Sequence, residues 1–358
     1  MNRALHDRIL AAIAAPDQLT DGSAFAALAL EVFAAQYEAI AAYRRVCDRR
    51  GRTPATVNDW REVPAVPTTA FKHTTLRTGP AERVFLTTGT TRGAEERGRH
   101  EMPDLRLYRA SALAGLRTFL FPDLAAMRLL SLIWPVAERP ESSLAQMDDW
   151  AFAAFGAPGS ARFVAADQVD FAAFAAALRA SERDGEPVAV LTTTGMLLRF
   201  FDHCRDHDLA FRLPHGSRLM DTGGMKGAPR PMSRNGILRA VWETLAIPGY
   251  FVVNEYGMTE MASQFYDNVV RNRVAGRFGP RLLTGPAWVR TRTLDPATLA
   301  DTAPGEPGLL CHFDLANAGT AACILTEDIG RLADDGFVIL GRAGAAEARG
   351  CSLAAAEL

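Results

Sequence analysis

The run Thr87-Thr88-Gly89-Thr90-Thr91-Arg92-Gly93 places four hydroxyls and two glycines in seven residues, directly after the strand-like segment Arg83 to Thr87. Such a loop can wrap a polyphosphate, because hydroxyls and backbone N–H groups donate to its oxygens and glycine lets the backbone come close. It lacks the GxxxxGK[ST] spacing, so it is not a Walker A loop. A plain polar β-turn is the competing reading of the same residues.

Outward from this loop, short strands alternate with helices. Arg83 to Thr87, Met127 to Ile133, Val188 to Thr192, Arg218 to Asp221 and Tyr250 to Asn254 read as strands, with Leu105 to Phe119, Phe171 to Arg183 and Met196 to Asp206 as helices between them. The alternation predicts an α/β sheet flanked by helices. Residues 1 to 48 read as helix, and Pro64 and Pro67 mark an extended connection. In the last third, Leu309 to Leu315, Ala321 to Thr326 and Phe337 to Leu340 are strands between Gly, Pro and Asp turns, which predicts a smaller, more antiparallel subdomain. Three polar, glycine-bearing segments follow strands: Thr87 to Gly93, Asp221 to Gly227 and Glu255 to Glu260. Ligands of open α/β sheets bind beyond the carboxyl ends of strands, so these loops are predicted to meet at one crevice.

Composition narrows the function. The chain has 358 residues, 48% of them hydrophobic and 22% charged, with a formal net charge of -2. That balance suits a globular enzyme acting on a small molecule and gives no global field towards nucleic acid or an anionic membrane. Residues 1 to 16 carry Arg3, Asp7 and Arg8 without an apolar core, unlike a signal peptide. The apolar stretch Phe25 to Tyr43 is broken by Glu31, Gln36 and Glu38 and reads as an amphipathic helix, which predicts a cytoplasmic protein. Five scattered cysteines (Cys47, Cys204, Cys311, Cys323, Cys351) predict reduced thiols rather than a disulfide scaffold.

A second polar segment, Tyr256-Gly257-Met258-Thr259-Glu260, combines an aromatic ring that can stack on a base, a hydroxyl that can reach a phosphate and a carboxylate that can hold Mg²⁺. Glu260 reads equally as a first-turn helix carboxylate. Together with Phe85 to Gly93, Thr326-Glu327-Asp328 and Gly341-Arg342, in that order along the chain, this segment resembles the signatures of the adenylate-forming superfamily. Val66-Pro67-Thr68 with Phe71-Lys72, Asp221-Thr222-Gly223-Gly224-Met225-Lys226-Gly227 and the ending Arg349-Gly350-Cys351-Ser352-Leu353 resemble its LuxE-type acyl-protein synthetase branch.

The resemblance implies an α/β fold: an adenylate-forming N-terminal-domain architecture with helix-flanked β-sheets and a smaller β-rich subdomain, and a truncated C-terminal domain. The predicted division is a large domain over 1–340, with subdomains of roughly 1–190 and 191–340, then a hinge and short tail over 341–358. It also implies ATP and Mg²⁺, a carboxylic acid substrate of the fatty-acid class and an acyl-reductase partner. By the same resemblance, Thr87, Thr88, Gly89, Thr90, Thr91 and Gly93 form the phosphate loop, and Gly223 and Gly224 line the adenine site. Tyr256 and Gly257 belong to the nucleotide site, Thr259 contacts the α-phosphate, Glu260 binds Mg²⁺, Asp328 holds the ribose, Arg342 marks the hinge and Cys351 is the acyl acceptor.

Two departures qualify the match. Family members carry Pro-Lys after the phosphate loop where this chain has Ala94, Glu95 and Glu96, which passes the polyphosphate contact to Arg92, Arg97 or Arg99. They also carry a catalytic lysine in a C-terminal domain for which the residues after Arg342 are too few, and Lys226 is the candidate substitute. A thiolate suits the last step, since it attacks a mixed anhydride readily near neutral pH. Arg349 favours that thiolate, and Gly341, Gly344 and Gly350 let the tail swing.

Other residues carry blander readings. His203 and His207 lie four apart on a helix but lack a third ligand, which predicts a solvent-facing pair. Cys311 and Cys323 sit in apolar strands, and Phe119, Leu120, Phe121, Phe152 and Phe155 read as core as readily as an acyl pocket. His73 and His100 flank the phosphate loop and are assigned no role. Two further functions fit the sequence: an AMP-forming acyl- or aryl-CoA ligase, and a nucleotide-binding carrier or scaffold without turnover.

Overall fold

Asn2 accepts from the N–H of Leu5 and so starts the first helix, α1 (Arg3–Ala14), with the side-chain cap that the orphan donors of a helix terminus require. The computed structural model describes residues 1–87, 97–223 and 232–343. They fall into two compact units, one built from residues 1–114, 258–264 and 284 onward, the other from 115–257 and 265–283. The sequence-based cut near residue 190 follows chain order, whereas each of these units gathers stretches far apart in the chain.

In the first unit, residues 1–48 do not form one helical run. Pro16 opens a 3-10 turn (Pro16–Leu19), left-handed Gly22 (φ 81°) precedes α2 (Ser23–Ala39), and Ile40 adopts extended angles before α3 (Ala41–Arg49). The helix predicted over Phe25 to Tyr43 is therefore two helices bent by 109°. Among the described residues no single helix is long and apolar enough to cross a membrane; the bent pair reaches that length and composition together, and α2 buries Phe25, Leu28, Ala29, Val32, Phe33 and Gln36. Next come β1 (Val66–Pro67) and the antiparallel hairpin β2 (Arg83–Leu86) and β3 (Arg99–Met102), with Phe85 opposite His100. Helix α4 (Leu105–Phe119), with the predicted bounds, carries the chain into the second unit.

There the alternation predicted from the sequence appears as β4 (Arg128–Ser131), α5 (Ser143–Phe155), β5 (Ala161–Arg162), a small hairpin of β6 (Val164–Ala165) and β7 (Gln168–Val169), α6 (Phe171–Asp184), β8 (Val188–Thr193), α7 (Thr194–Asp206), β9 (Arg218–Thr222), α8 (Arg234–Leu245), β10 (Val252–Tyr256), β11 (Phe265–Asp267) and α9 (Val269–Val274). The strand order is β11-β10-β9-β8-β4-β5, parallel except for β11 on β10. All five residues of β9 are buried, as a parallel strand covered on both faces requires. The strand predicted from Tyr250 starts only at Val252, because Pro248 leads Gly249–Phe251 into a 3-10 turn.

After β12 (Leu283–Thr284) the chain returns to the first unit. Here β13 (Val289–Leu294), β14 (Gly308–Asp314), β15 (Cys323–Ala333) and β16 (Gly336–Arg342) form an antiparallel run in that order, and β1 adds to β15 in parallel. This is the predicted β-rich part. The four cysteines among the described residues, Cys47, Cys204, Cys311 and Cys323, are free and buried, with Sγ of Cys311 3.7 Å from that of Cys323.

Candidate functional site

In the first unit, the neck of the Thr87 to Gly93 loop is a closed hairpin end. The N–H of Thr87 donates to the carbonyl of Gly98 at 2.9 Å, and the N–H of Gly98 returns a bond to Thr87 Oγ1 at 2.8 Å. Arg97 spends its guanidinium on the carbonyls of Thr87 (2.6 Å) and Leu86 (3.3 Å), and Arg99 lies 3.5 Å from Glu101. Arg97 thus braces the hairpin, while Arg99 pairs along its own strand. Thr88, Gly89, Thr90, Thr91, Arg92 and Gly93 lie outside the described residues. The loop leaves an antiparallel hairpin, so the rule about carboxyl ends of parallel strands, which led to its prediction as a crevice loop, does not apply to it.

The same hairpin lies against Glu260. A methyl group on Gly98 would sit 3.0 Å from Thr87 Cγ2 and 3.7 Å from Glu260 Oε1, so glycine there permits the approach. Thr259 and Glu260 form a turn and not the first turn of a helix, which removes the helix-dipole reading of this carboxylate. Two side chains grip that turn. His100 reaches the Thr259 carbonyl from Nδ1 at 2.6 Å; Asn317 donates from Nδ2 to the Glu260 carbonyl at 2.8 Å and accepts from the N–H of Ala262 at 2.8 Å. Below it, Ser263 donates to buried Asp314 at 2.7 Å, and Trp288 and Ser111 complete the polar cluster.

Glu260 itself is buried, and burial pushes its carboxyl up to about 7 against the pull of Arg342 and Lys72, with Glu327 adding to the rise. A buried carboxyl with Glu327 nearby fits a hard cation that also takes phosphate oxygens, since Mg²⁺ is usually held by one or two carboxylates plus substrate, while Arg342 and Lys72 suit the phosphates themselves. No cluster of three or more His, Cys, Asp or Glu suited to a metal occurs among the described residues. Asp328 and Arg342 face each other in the β15–β16 register; Arg342 bonds Glu327 at 2.8 Å, with Asp328 at 4.0 Å. The structure thus gathers Thr87, Glu260, Asp328 and Arg342 into the first unit, together with Lys72, which the sequence reading left without a role.

In the second unit, β8, β9 and β10 end in step: Thr193 pairs with Thr222, and Thr222 with Glu255. At this end Gly223 takes φ 81°, the left-handed region that favours glycine, and Thr194 Oγ1 holds its carbonyl at 3.0 Å and Asp221 at 2.8 Å. Arg234 links Asp221 (2.6 Å) to Asp267 (3.1 Å), and Arg281 closes on Asp267 at 2.5 Å. Thr222 donates to the buried carboxyl of Glu255, which burial pushes up to about 7. Tyr256 follows, its ring 5.9 Å from that of Phe265, and then Gly257. Gly223, Tyr256 and Gly257 thus share one edge, while Gly224, Lys226 and Cys351 lie outside the described residues.

The residues set aside behave as core or surface. Phe121 stacks on Phe155 at 4.9 Å, Phe119 on Tyr266 at 5.4 Å, and the rings of His203 on α7 and His207 at its C-cap pair at 4.2 Å. His100, noted beside the loop but given no role, and Asn317, which the sequence reading missed, have partners 159 and 57 residues away, with no local spacing to betray them. Lys72 had a signal, its place beside Phe71 in a quoted motif.

Comparison with known proteins follows the same line. The family described as acyl-protein synthetase, LuxE, matches residues 147–358, more than half of the chain. The long-chain-fatty-acid–luciferin-component ligase of Aliivibrio fischeri is 49% identical over 45 residues, a segment covering 13% of this chain and 12% of that protein. Among solved structures, an open conformation of 2-hydroxyisobutyryl-CoA ligase in complex with 2-HIB-AMP and CoA superposes with a TM-score of 0.65 at 15% identity, over 88% of this chain and 69% of that one. The same ligase in its postadenylation state gives 0.60 at 17% identity, over 88% and 67%. At these identities the likeness is one of fold.

Proposed function

The chain belongs to the LuxE acyl-protein synthetase family, and we propose that it uses ATP to convert a carboxylic acid, of the fatty-acid class, into an acyl-adenylate and then transfers the acyl group to its own Cys351 as a thioester for delivery to a reductase protein. The observation that carries this reading is the Thr259–Glu260 turn, clamped by His100 and Asn317 with the Glu260 carboxyl lying against the neck of the Thr-rich loop. A carboxylate against the neck of a Thr- and Gly-rich loop, next to a threonine in the same turn, suits a nucleoside triphosphate with its divalent cation. The printed name of the Aliivibrio fischeri relative supports the fatty-acid class.

In the first step the substrate carboxylate oxygen attacks the α-phosphorus and pyrophosphate leaves. Both reactants are anions, so the protein's work is alignment and neutralisation. Thr87, Thr88, Gly89, Thr90, Thr91 and Gly93 are assigned to the polyphosphate, Thr259 to the α-phosphate and Lys226 to the catalytic cation. Gly223, Gly224, Tyr256 and Gly257 are assigned to the adenine, Asp328 to the ribose and Arg342 to the hinge. Glu260 would hold Mg²⁺, which when bound supplies charge neutralisation on the phosphates. In the second step the Cys351 thiolate attacks the acyl carbon, a C–S bond forms and AMP leaves.

The test is pyrophosphate release on adding ATP, Mg²⁺ and a series of straight-chain acids, with and without coenzyme A. Release without coenzyme A is the expected result. Release only with coenzyme A replaces this reading by a CoA ligase, and no release with any acid replaces it by a nucleotide-binding carrier.

A further inference from the structure

We infer that His100 is a positioning residue for adenylate formation, locking the strand that carries the phosphate loop to the turn that carries Thr259 and Glu260. The inference rests on the function proposed above. His100 is buried on β3, two residues after Gly98, whose N–H binds Thr87 Oγ1. The stretch from Gly98 to His100 therefore holds the loop's neck at one point and the signature turn two residues later.

The ring's chemistry leaves little freedom. A carbonyl only accepts, so the 2.6 Å contact with Thr259 places the proton on Nδ1. Nε2 then presents its lone pair to Thr320 Oγ1 at 2.9 Å, and the Thr320 hydroxyl donates. The ring plane is fixed as well, edge-on to Phe71 at 5.6 Å and 84°. With both nitrogens and the ring plane engaged, the Thr259 carbonyl has one place to be. The Thr259 hydroxyl and the Glu260 carboxyl extend from that same stretch of backbone, so the placement of Glu260 against the Thr87–Gly98 neck depends on His100, which acts through the Thr259 carbonyl. Such an outer contact is comparable to those behind metal ligands, whose loss typically costs about 10–100-fold in affinity or activity.

Two polar replacements separate the contacts. In His100→Asn the amide nitrogen falls near the place of Nδ1 and keeps the bond to Thr259; in His100→Gln it falls nearer Nε2 and loses that bond. ATP–pyrophosphate exchange is measured for both, with KM for ATP and for the acid determined separately and folding checked by thermal melting. The expected result is an ATP KM within about threefold of the parent for His100→Asn and about tenfold or more above it for His100→Gln, with the acid KM unchanged in both, from the range typical of second-layer contacts. Equal ATP KM values in the two variants, or changes in both KM values together that track a drop in melting temperature, overturn the inference while leaving the proposed function standing. Absence of exchange in the parent protein with every acid overturns both.

Discussion

Asn317 Nδ2 lies 2.8 Å from the carbonyl oxygen of Glu260, and the same amide serves Ala321 and Ala262, so one buried side chain satisfies three backbone groups around the candidate carboxylate. Replacing Asn317 with Ala strands two carbonyls and one N–H in the interior. At roughly 1 kcal/mol or more for each unsatisfied group, the expected loss is about 3 kcal/mol. Urea unfolding of the variant beside the parent checks this; a loss below about 1 kcal/mol would show that water or rearrangement replaces the amide.

Glu255 should make stability depend on pH. Burial raises its folded carboxyl from 4.5 to about 7, so between these values the folded state binds a proton that the unfolded state does not. Stability from this group is gained as pH falls through 7 and is complete below 4.5; above 7 the buried charge is a cost. Glu255→Gln keeps an acceptor for Thr222 without the charge. The variant should be more stable than the parent at pH 8, by an amount of order 3 kcal/mol, and the difference should vanish towards pH 4.5. Denaturant titrations at pH 5, 6, 7 and 8 measure it, and a difference independent of pH refutes the assignment.

Gly223 tests the edge of the second unit. Among the described residues a methyl group there meets nothing within 4 Å, so the penalty expected for Gly223→Ala is that of φ 81°. That backbone region costs an L-residue about 1–2 kcal/mol. The expected outcome is a stability loss of that size, together with a raised KM for ATP if the residue lines the adenine site. Unchanged stability would mean that the turn relaxes to another conformation.

Much of the fold was legible because it is written locally. The helix Leu105 to Phe119 has apolar residues at helical spacing, and Val188 to Thr192 is a short apolar, β-branched run of the length of a buried strand, as is the shorter Leu219-Met220 core of Arg218 to Asp221. What was not legible depends on distant partners. The interleaving of units places Met258–Gln264 with the N-terminal helices, and no composition change marks that crossing. The β2–β3 hairpin was read as one strand of an open sheet because its partner strand, Arg99–Met102, is polar at Arg99, His100 and Glu101. The site divides the same way. Thr259, Glu260 and Asp328 stand in short motifs, while His100 and Asn317 act across long separations.

The central claim is that activation ends on the enzyme's own thiol, and intact-protein mass spectrometry after incubation with ATP, Mg²⁺ and a long-chain fatty acid tests it most directly. The account predicts an added mass equal to the acid less water, removed by hydroxylamine, localised to Cys351 and absent from Cys351→Ser, which still releases pyrophosphate. An adduct that persists in Cys351→Ser, or pyrophosphate release with no adduct in the parent protein, contradicts it.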